Sequence, residues 1–477
     1  MQIKKLFAVC MATVLLCGML SSCRSDADNV TDGLLTETAP APISPDNQKD
    51  YTDDPETLGM IAAYRATFSD MAESAAEDFE TVDNADGVTV TAYRGSAKQV
   101  RVPARINEKA VTEIAAAAFA DNVTMMSLYL PDSVLRIGVG ILSKSTPLVA
   151  LRTPSLGSSA DQAQFLGYLF GAATYADNAI HIPASLKYLE LGGKMTALAD
   201  YALFDCVHLV CLTLPDTVKH IGSYAMYRCT GLVAVNTSEI VTLADHAMTS
   251  CSSLTFLEFG SGLTSVGIGA FEGCMGLRRM ILPFVGGSAT ENTYLGYIFG
   301  AEVPDFSEGY YPPYLVEVTL LSGCVALGNY AFFECTSLTN VTLPDGLTTV
   351  GVRAFSGCSR LEGIALPDSV TTVRESAFYG CRNLGRLEFG EQSTLTAFGI
   401  NAFQSCSALT SVKLPALLSL LPASAFADCT ALQTLDLGGV VSVGKNAFHN
   451  CNALTSVTAA SKVEFEKGND AAKDLLS

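Results

Sequence analysis

Outside one interruption, a cysteine returns at a nearly constant step from position 206 to position 451, each time at the end of one short phrase. The phrase is a small residue, an apolar residue, two variable positions and Cys. It ends at Cys206, Cys229, Cys251, Cys274, Cys335, Cys358, Cys381, Cys406, Cys429 and Cys451. Two earlier copies, Ala118-Phe119 and Ile141-Leu142, carry Asn122 and Ser145 in the cysteine slot. Three residues on comes Leu, then a strand-like piece such as Leu338 to Pro344, then a turn and a Val/Ile-Gly pair. Alternation points Val341 and Leu343 to one side and Asn340 and Thr342 to the other, and Pro344, lacking a backbone donor, ends the strand. A unit this short cannot bury Val350 and Phe355 beneath its own strand. Stacked coils can, so the pattern predicts an α/β-type repeat solenoid with a parallel sheet along one face.

The residues AF..C..L..V.LP….IG, repeated through about 81–460, resemble the BspA-like leucine-rich repeat family. The resemblance implies a curved right-handed solenoid on bacterial surface proteins, with adhesion and host-protein binding as activities linked to some members. It adds architecture and names no ligand.

The same repeat decides how the cysteines are read. A ladder offers each thiol two equivalent neighbours and no unique disulfide partner, and Asn122 and Ser145 substitute freely. The ten ladder residues are therefore expected as buried structural thiols, small apolar groups with a weak donor. No CxxC spacing is present, so no metal site is expected. His181, His208, His220, His246 and His449 fall at unrelated places in the repeat, and no HExxH, GxSxG, Walker or GxGxxG context occurs. The chain is read as no enzyme and as needing no cofactor.

Two interruptions, at about 149–190 and 278–319, are the most individual feature. PSLGSSADQAQFLGYLFGA (154–172) and PFVGGSATENTYLGYIFGA (283–301) match at a constant offset, and the register persists without a gap, pairing Pro183 with Pro312 and Ala202 with Ala331. A long unit with one insertion of about forty residues has been duplicated. The middles differ, and Tyr175, Tyr310 and Tyr311 on them are candidate contact residues, with a role in covering the loop's own small core as the alternative. The outward sheet column begins Cys211/Thr213, Ala234/Asn236, Phe256/Glu258 and Arg279/Ile281 and is mostly small. It lacks the stacked aromatics of a sugar platform and the basic stripe of a nucleic-acid site. Phe256, Arg279 and Ile281 are its one apolar cluster with a guanidinium, and the first place to seek a contact hot spot.

The ends complete the plan. Residues 1–22 combine Lys4 and Lys5, a short apolar run and small residues, which is a signal peptide too short to span a membrane. The ending Leu20-Ser21-Ser22-Cys23 resembles the lipobox of bacterial lipoproteins, which implies lipidation of Cys23 and attachment through acyl chains alone. Residues 23–54 read as a flexible tether. Its run Ser25-Asp26-Ala27-Asp28 resembles the surface-export signal of Bacteroides-group lipoproteins, which implies an outer-membrane lipoprotein displayed outward. Residues 55–117 are an expected cap, in which Ile61, Tyr64, Phe68, Met71, Ala75 and Phe79 suggest one amphipathic helix across 55–80 before short strands. The solenoid proper is 118–460, and 461–477 is a short cover. A formal net charge of −19 disfavours nucleic acid and anionic lipid surfaces as partners. An extracellular or cell-surface protein is the expected partner, with a glycan, or a purely structural envelope role, as alternatives.

Overall fold

Each repeat has room for two short extended segments and one tight turn, and the computed structural model arranges its described residues, 54–159 and 164–476, in that way. They fall within one compact unit, Lys49–Ser477. The leader, Cys23 and nearly all of the tether lie outside the described residues.

The first extended segment of each coil pairs in parallel with its neighbours. In one stretch Ala150, Tyr188, Cys211 and Ala234 stand in register across four coils. Farther on, Gly363–Leu366 pairs with Arg386–Phe389. The second segment is two residues long, as in Thr349–Val350 beside Thr372–Val373. The third side is the AFxxC turn. Here the Phe355 amide donates to Ala377 O at 2.7 Å, Phe378 to Ala402 O at 2.8 Å and Phe403 to Ala425 O at 2.8 Å. Neighbouring coils are thereby bonded on up to three sides, and the turn bonds continue where strand pairing lapses, as between Arg386–Phe389 and Ser411–Lys413. Inside, the phenylalanines stack: Phe355, Phe378 and Phe403 lie 4.9 Å apart in successive pairs, with ring planes 5° and 4° from parallel.

The turn is tight because two of its residues take left-handed backbone, one before the small residue and one before the cysteine. Tyr330 (φ 62°) and Glu334 (φ 53°) bracket one turn, Asn401 (φ 57°) and Ser405 (φ 63°) another. For L-residues this costs about 1–2 kcal/mol each, so the ladder bonds must hold the turn in place. The cost accounts for Gly357, Gly380, Asp428 and Asn450 immediately before their cysteines.

All twelve cysteines of the described residues are free and buried. Eight of the ten ladder thiols, all but Cys206 and Cys335, have a specific partner. Cys358 Sγ donates to Phe332 O at 3.0 Å, Cys381 to Phe355 O at 3.1 Å and Cys451 to Phe426 O at 3.2 Å. Each thus reaches a carbonyl on the preceding coil. Where Ser145 takes the slot, its hydroxyl makes the equivalent bond to Phe119 O at 2.8 Å. The position therefore selects a small side chain with one donor. Cys358→Ser, which keeps the bond, should lose less than Cys358→Ala, which removes one of the two bonds to the Phe332 carbonyl (the other comes from Cys335 N at 3.1 Å) and should lose about 0.5–1.5 kcal/mol. Chemical denaturation of the two variants checks this; equal losses would contradict the bonding role.

The duplicated interruptions are coils, enlarged in place. Their bounding strands are adjacent in the sheet, Ala150 beside Tyr188 and Arg279 beside Glu317, just as Tyr188 stands beside Cys211 across an ordinary step. The chain added beyond an ordinary step is shorter than one further coil, and so shorter than the insertion expected from sequence. Most of that expected insertion is itself a coil, with LGYLF or LGYIF in place of its AFxxC turn. Both form short 3-10 helices, Leu166–Phe170 and Leu295–Phe299, each closed by a left-handed glycine, Gly171 and Gly300. The amides of Leu142 and Phe271 donate to Leu169 O and Ile298 O, and those of Leu166 and Leu295 to Ala202 O and Ala331 O.

The first strand pair, β1 (Phe79–Asn84) and β2 (Gly87–Tyr93), is antiparallel and closes one end, with Phe79 and Tyr93 laid toward Phe119. The sheet ladder starts at β3 (Gln99–Arg101), within the stretch assigned to the cap. At the other end the side chain of Asn469 takes the place of a further coil. It accepts from Phe448 N at 3.0 Å and donates to Gly444 O at 2.9 Å.

The helix expected across 55–80 is shorter. α1 spans Pro55–Ala66, started by Asp54 accepting from Thr57 N at 2.8 Å and by proline in its first turn. Beyond it the chain turns, because Arg101 takes the Phe68 and Met71 carbonyls at 3.4 and 3.0 Å, and Ser74 N donates to Arg101 O. Those bonds shield the sheet's first edge strand. Ile61, Tyr64, Phe68 and Met71 then pack on the outward sheet face over Ala150, Tyr188 and Cys211. The rings of Tyr64 and Phe68 stack on Tyr188 at 6.0 and 5.7 Å. Cys211, placed by alternation on an exposed column, is therefore buried by α1 and the turn after it.

Candidate binding surfaces

Three surfaces remain open, and the coil repeat positions each. The first is the sheet beyond α1. Parallel pairing sets Phe256 opposite Arg279 and Glu258 opposite Ile281, so the three residues singled out in sequence share one face. The Arg279 guanidinium lies 5.8 Å from the Phe256 ring centre. Phe256 also lines a 290 Å³ cleft between α1, through Leu58, Ile61 and Arg65, and the strand region 233–238.

The second surface is the outer part of the two enlarged coils. Their cores obey one plan with different residues. In the first, Asn178 is buried, accepts from Gly167 N at 2.9 Å and donates to Phe204 O at 2.8 Å. In the second, the hydroxyl of Tyr311 donates to Phe333 O at 2.8 Å, and Phe333 is the counterpart of Phe204 in the duplicated unit. Tyr311 is thus turned inward, and burial pushes its hydroxyl well above the usual phenol range. Tyr175 and Tyr310 face outward, beside Ile180 (81% exposed), Val303 and Phe306 (66% exposed). Large apolar side chains at such exposure have no role in the coil's own packing.

The third surface was not found from the sequence. The left-handed residues before each small residue carry their side chains outward in one column. Tyr175 from the enlarged coil stacks on Tyr201 at 4.2 Å, Tyr201 on Tyr224 at 5.5 Å and Tyr224 on His246 at 5.1 Å, all within 15° of parallel. Phe204 and Tyr227 make a second pair beside it at 4.9 Å. Burial, together with the neighbouring Tyr201 and Glu272, raises the Tyr224 phenol, which stays neutral. The column ends at a 510 Å³ cleft walled by Tyr224, Tyr227, His246, Glu272 and, from the second enlarged coil, Tyr310. Nδ1 of His246 lies 3.2 Å from Oε2 of Glu272. The signal was present: Tyr201, Tyr224 and His246 hold one place in three successive repeats, a place that varies among the other copies.

A family model described as the BspA type leucine rich repeat region, in six copies, matches residues 174–293, 308–433 and 388–469. Among solved structures, the chain is similar to a leucine-rich repeat protein from Bacteroides ovatus ATCC 8483 at 17% identity. The match covers 83% of this chain and 99% of that one, with a TM-score of 0.32. A leucine rich cell surface protein from Faecalibacterium prausnitzii A2-165 matches at 18% identity over 86% and 98%, TM-score 0.30. The pneumococcal vaccine antigen PcpA matches at 17% over 84% and 94%, TM-score 0.28. No curated protein sequence matches the chain.

Proposed function

Because the chain belongs to the BspA-type leucine-rich repeat family, whose repeats generally serve as binding scaffolds, we propose that it is a non-catalytic surface lipoprotein that binds another protein. The observation that carries the reading is the pair of enlarged coils. A solenoid bonded on up to three sides holds them rigidly, and they present Tyr175, Ile180, Val303, Phe306 and Tyr310 to solvent. A preformed apolar patch on a rigid support loses little conformational entropy on binding, which suits recognition of a folded protein.

Attachment is assigned to Cys23, with the lipobox-like ending and the acidic run after it as support. No helix of the described residues is long and apolar enough to cross a membrane. The relative from F. prausnitzii is itself described as a cell surface protein.

Two measurements test the proposal. Protease added to intact cells should degrade the protein; full protection would remove the surface assignment. The purified chain, screened against extracellular proteins and a glycan array, should retain a protein. Ile180→Ser and Phe306→Ser should each weaken that binding at least about fivefold without changing the fold. Selective glycan binding with no protein retained would instead establish the glycan-capture alternative.

A further inference from the structure

We propose that the 510 Å³ cleft at the end of the aromatic column receives a cationic side chain, arginine or lysine, from a basic segment of a partner protein. The inference rests on the protein-binding role above and gives its partner a chemistry.

The column explains why the cleft exists. From Tyr175 to His246 each ring lies on the face of the next. The next coil has Gly269 at this position, with φ 62°, and a Cβ there would stand 2.7 Å from the His246 ring. No side chain continues the stack. A gap follows, bounded on its far side by Tyr310, which is 41% exposed. The Glu272 carboxylate reaches into this gap, with its side chain 47% exposed.

The lining chemistry favours one class of occupant. Tyr224, Tyr227 and Tyr310 supply aromatic rings and Glu272 a carboxylate, while the lining residues include neither lysine nor arginine. Asp245 and Glu308 are sequence neighbours of the lining residues His246 and Gly309, and the one basic sequence neighbour, Arg228 beside Tyr227, lies 3.4 Å from the Asp205 carboxylate. A guanidinium or ammonium placed among the rings gains cation–π attraction and a charge-assisted bond to Glu272 at once. An anion would meet the carboxylate directly. The chain's formal charge of −19 steers a basic partner toward this surface and repels an acidic one.

The test is calorimetric titration of the full chain with a blocked peptide alternating glycine and arginine. Matched peptides carry neutral citrulline or glutamate in place of arginine, and a neutral oligosaccharide panel runs alongside. The arginine peptide should bind, and the citrulline peptide should bind at least about tenfold more weakly. Glu272→Gln and Tyr310→Ala, both at exposed side chains, should each weaken the arginine peptide at least about fivefold, with circular dichroism unchanged. Leu417→Ser, at an exposed side chain on a distant coil, should leave peptide binding within about twofold. Equal binding by Glu272→Gln, Tyr310→Ala and the unaltered chain would overturn the site, as would oligosaccharide binding without arginine-peptide binding. A protein partner lost through Ile180→Ser and Phe306→Ser yet indifferent to Glu272→Gln and Tyr310→Ala would overturn the cleft while sustaining the broader role. Failure to retain any protein would sink the broader role itself.

Discussion

Raising the pH above about 9 is expected to unfold the solenoid cooperatively, with a midpoint near pH 10–11, because burial raises most of the thiols that line its core. Burial pushes Cys324 up to about 11, Cys335 up to about 12 and Cys451 up to about 12. Burial likewise raises Cys358, Cys381 and Cys429, with neighbouring ladder thiols adding to the shift. In the unfolded chain a thiol releases its proton near pH 8.5, whereas the folded chain retains it to pH 11 or 12. Between those values the native state binds more protons, so stability falls as pH rises. It is complete below about 8.5 and is lost progressively toward pH 12. Each buried thiol removes about 1.4 kcal/mol per pH unit across that window. Several acting together exhaust a stability of about 5–15 kcal/mol within one to two units. Far-ultraviolet circular dichroism against pH, read beside thiolate absorbance, checks the expectation. The two signals should change together, and Cys358→Ser with Cys381→Ser should move the midpoint upward, since serine keeps the bond and does not titrate there. Thiolate appearing gradually with the fold intact would contradict it.

Most of the fold was legible because a repeat states its own packing. Phe355, Cys358 and Leu361 recur at fixed spacing, and only stacking buries all three. The long duplication was equally plain, and the coil in which it acts keeps the register of Asn178 and Ser307, both buried, at matching places. What failed was periodicity at the N-terminus. Phe68 and Met71 fall at helical spacing from Tyr64, and they do face the same surface as Ile61. They reach it from a turn, because Arg101, far along the sequence, claims their carbonyls. A helical pattern reports which side chains share a face and says nothing of which donor takes the backbone.

The surfaces were legible in part for a related reason. Ala150, Cys211 and Ala234 are small in a column that alternation turns toward solvent, and their size is what lets α1 and the turn after it lie close. Small residues in an outward column are the signal of a covering segment. The aromatic column escaped because its residues precede each turn on left-handed backbone, where neither strand alternation nor helical spacing predicts a direction. Only the stacking of one coil on the next brings Tyr201 and Tyr224 within 5.5 Å.

Phe378→Ala is expected to cost about 3–5 kcal/mol and to divide one unfolding transition into two. Its ring is fully buried and is sandwiched between Phe355 and Phe403 at 4.9 Å on each side. Removing it leaves a cavity bordered by two rings whose positions are fixed by backbone bonds, Phe355 N to Ala377 O and Phe378 N to Ala402 O, so the site cannot collapse to fill it. In a stacked array, coils communicate only through neighbours, and a weakened interface uncouples the coils on either side. The coils before Phe378 should then melt independently of those after it, visible as two steps in urea denaturation and as a loss of amide protection centred on the 378 coil. Phe378→Met provides the control. Met226 and Met248 hold this position in earlier coils and are fully buried there, so the coil accepts an unbranched chain of similar volume. That variant should lose under about 1.5 kcal/mol and keep a single transition. Equal losses from alanine and methionine would mean that aromatic stacking itself, rather than filled volume, couples the coils, and the cavity account of their cooperativity would be wrong.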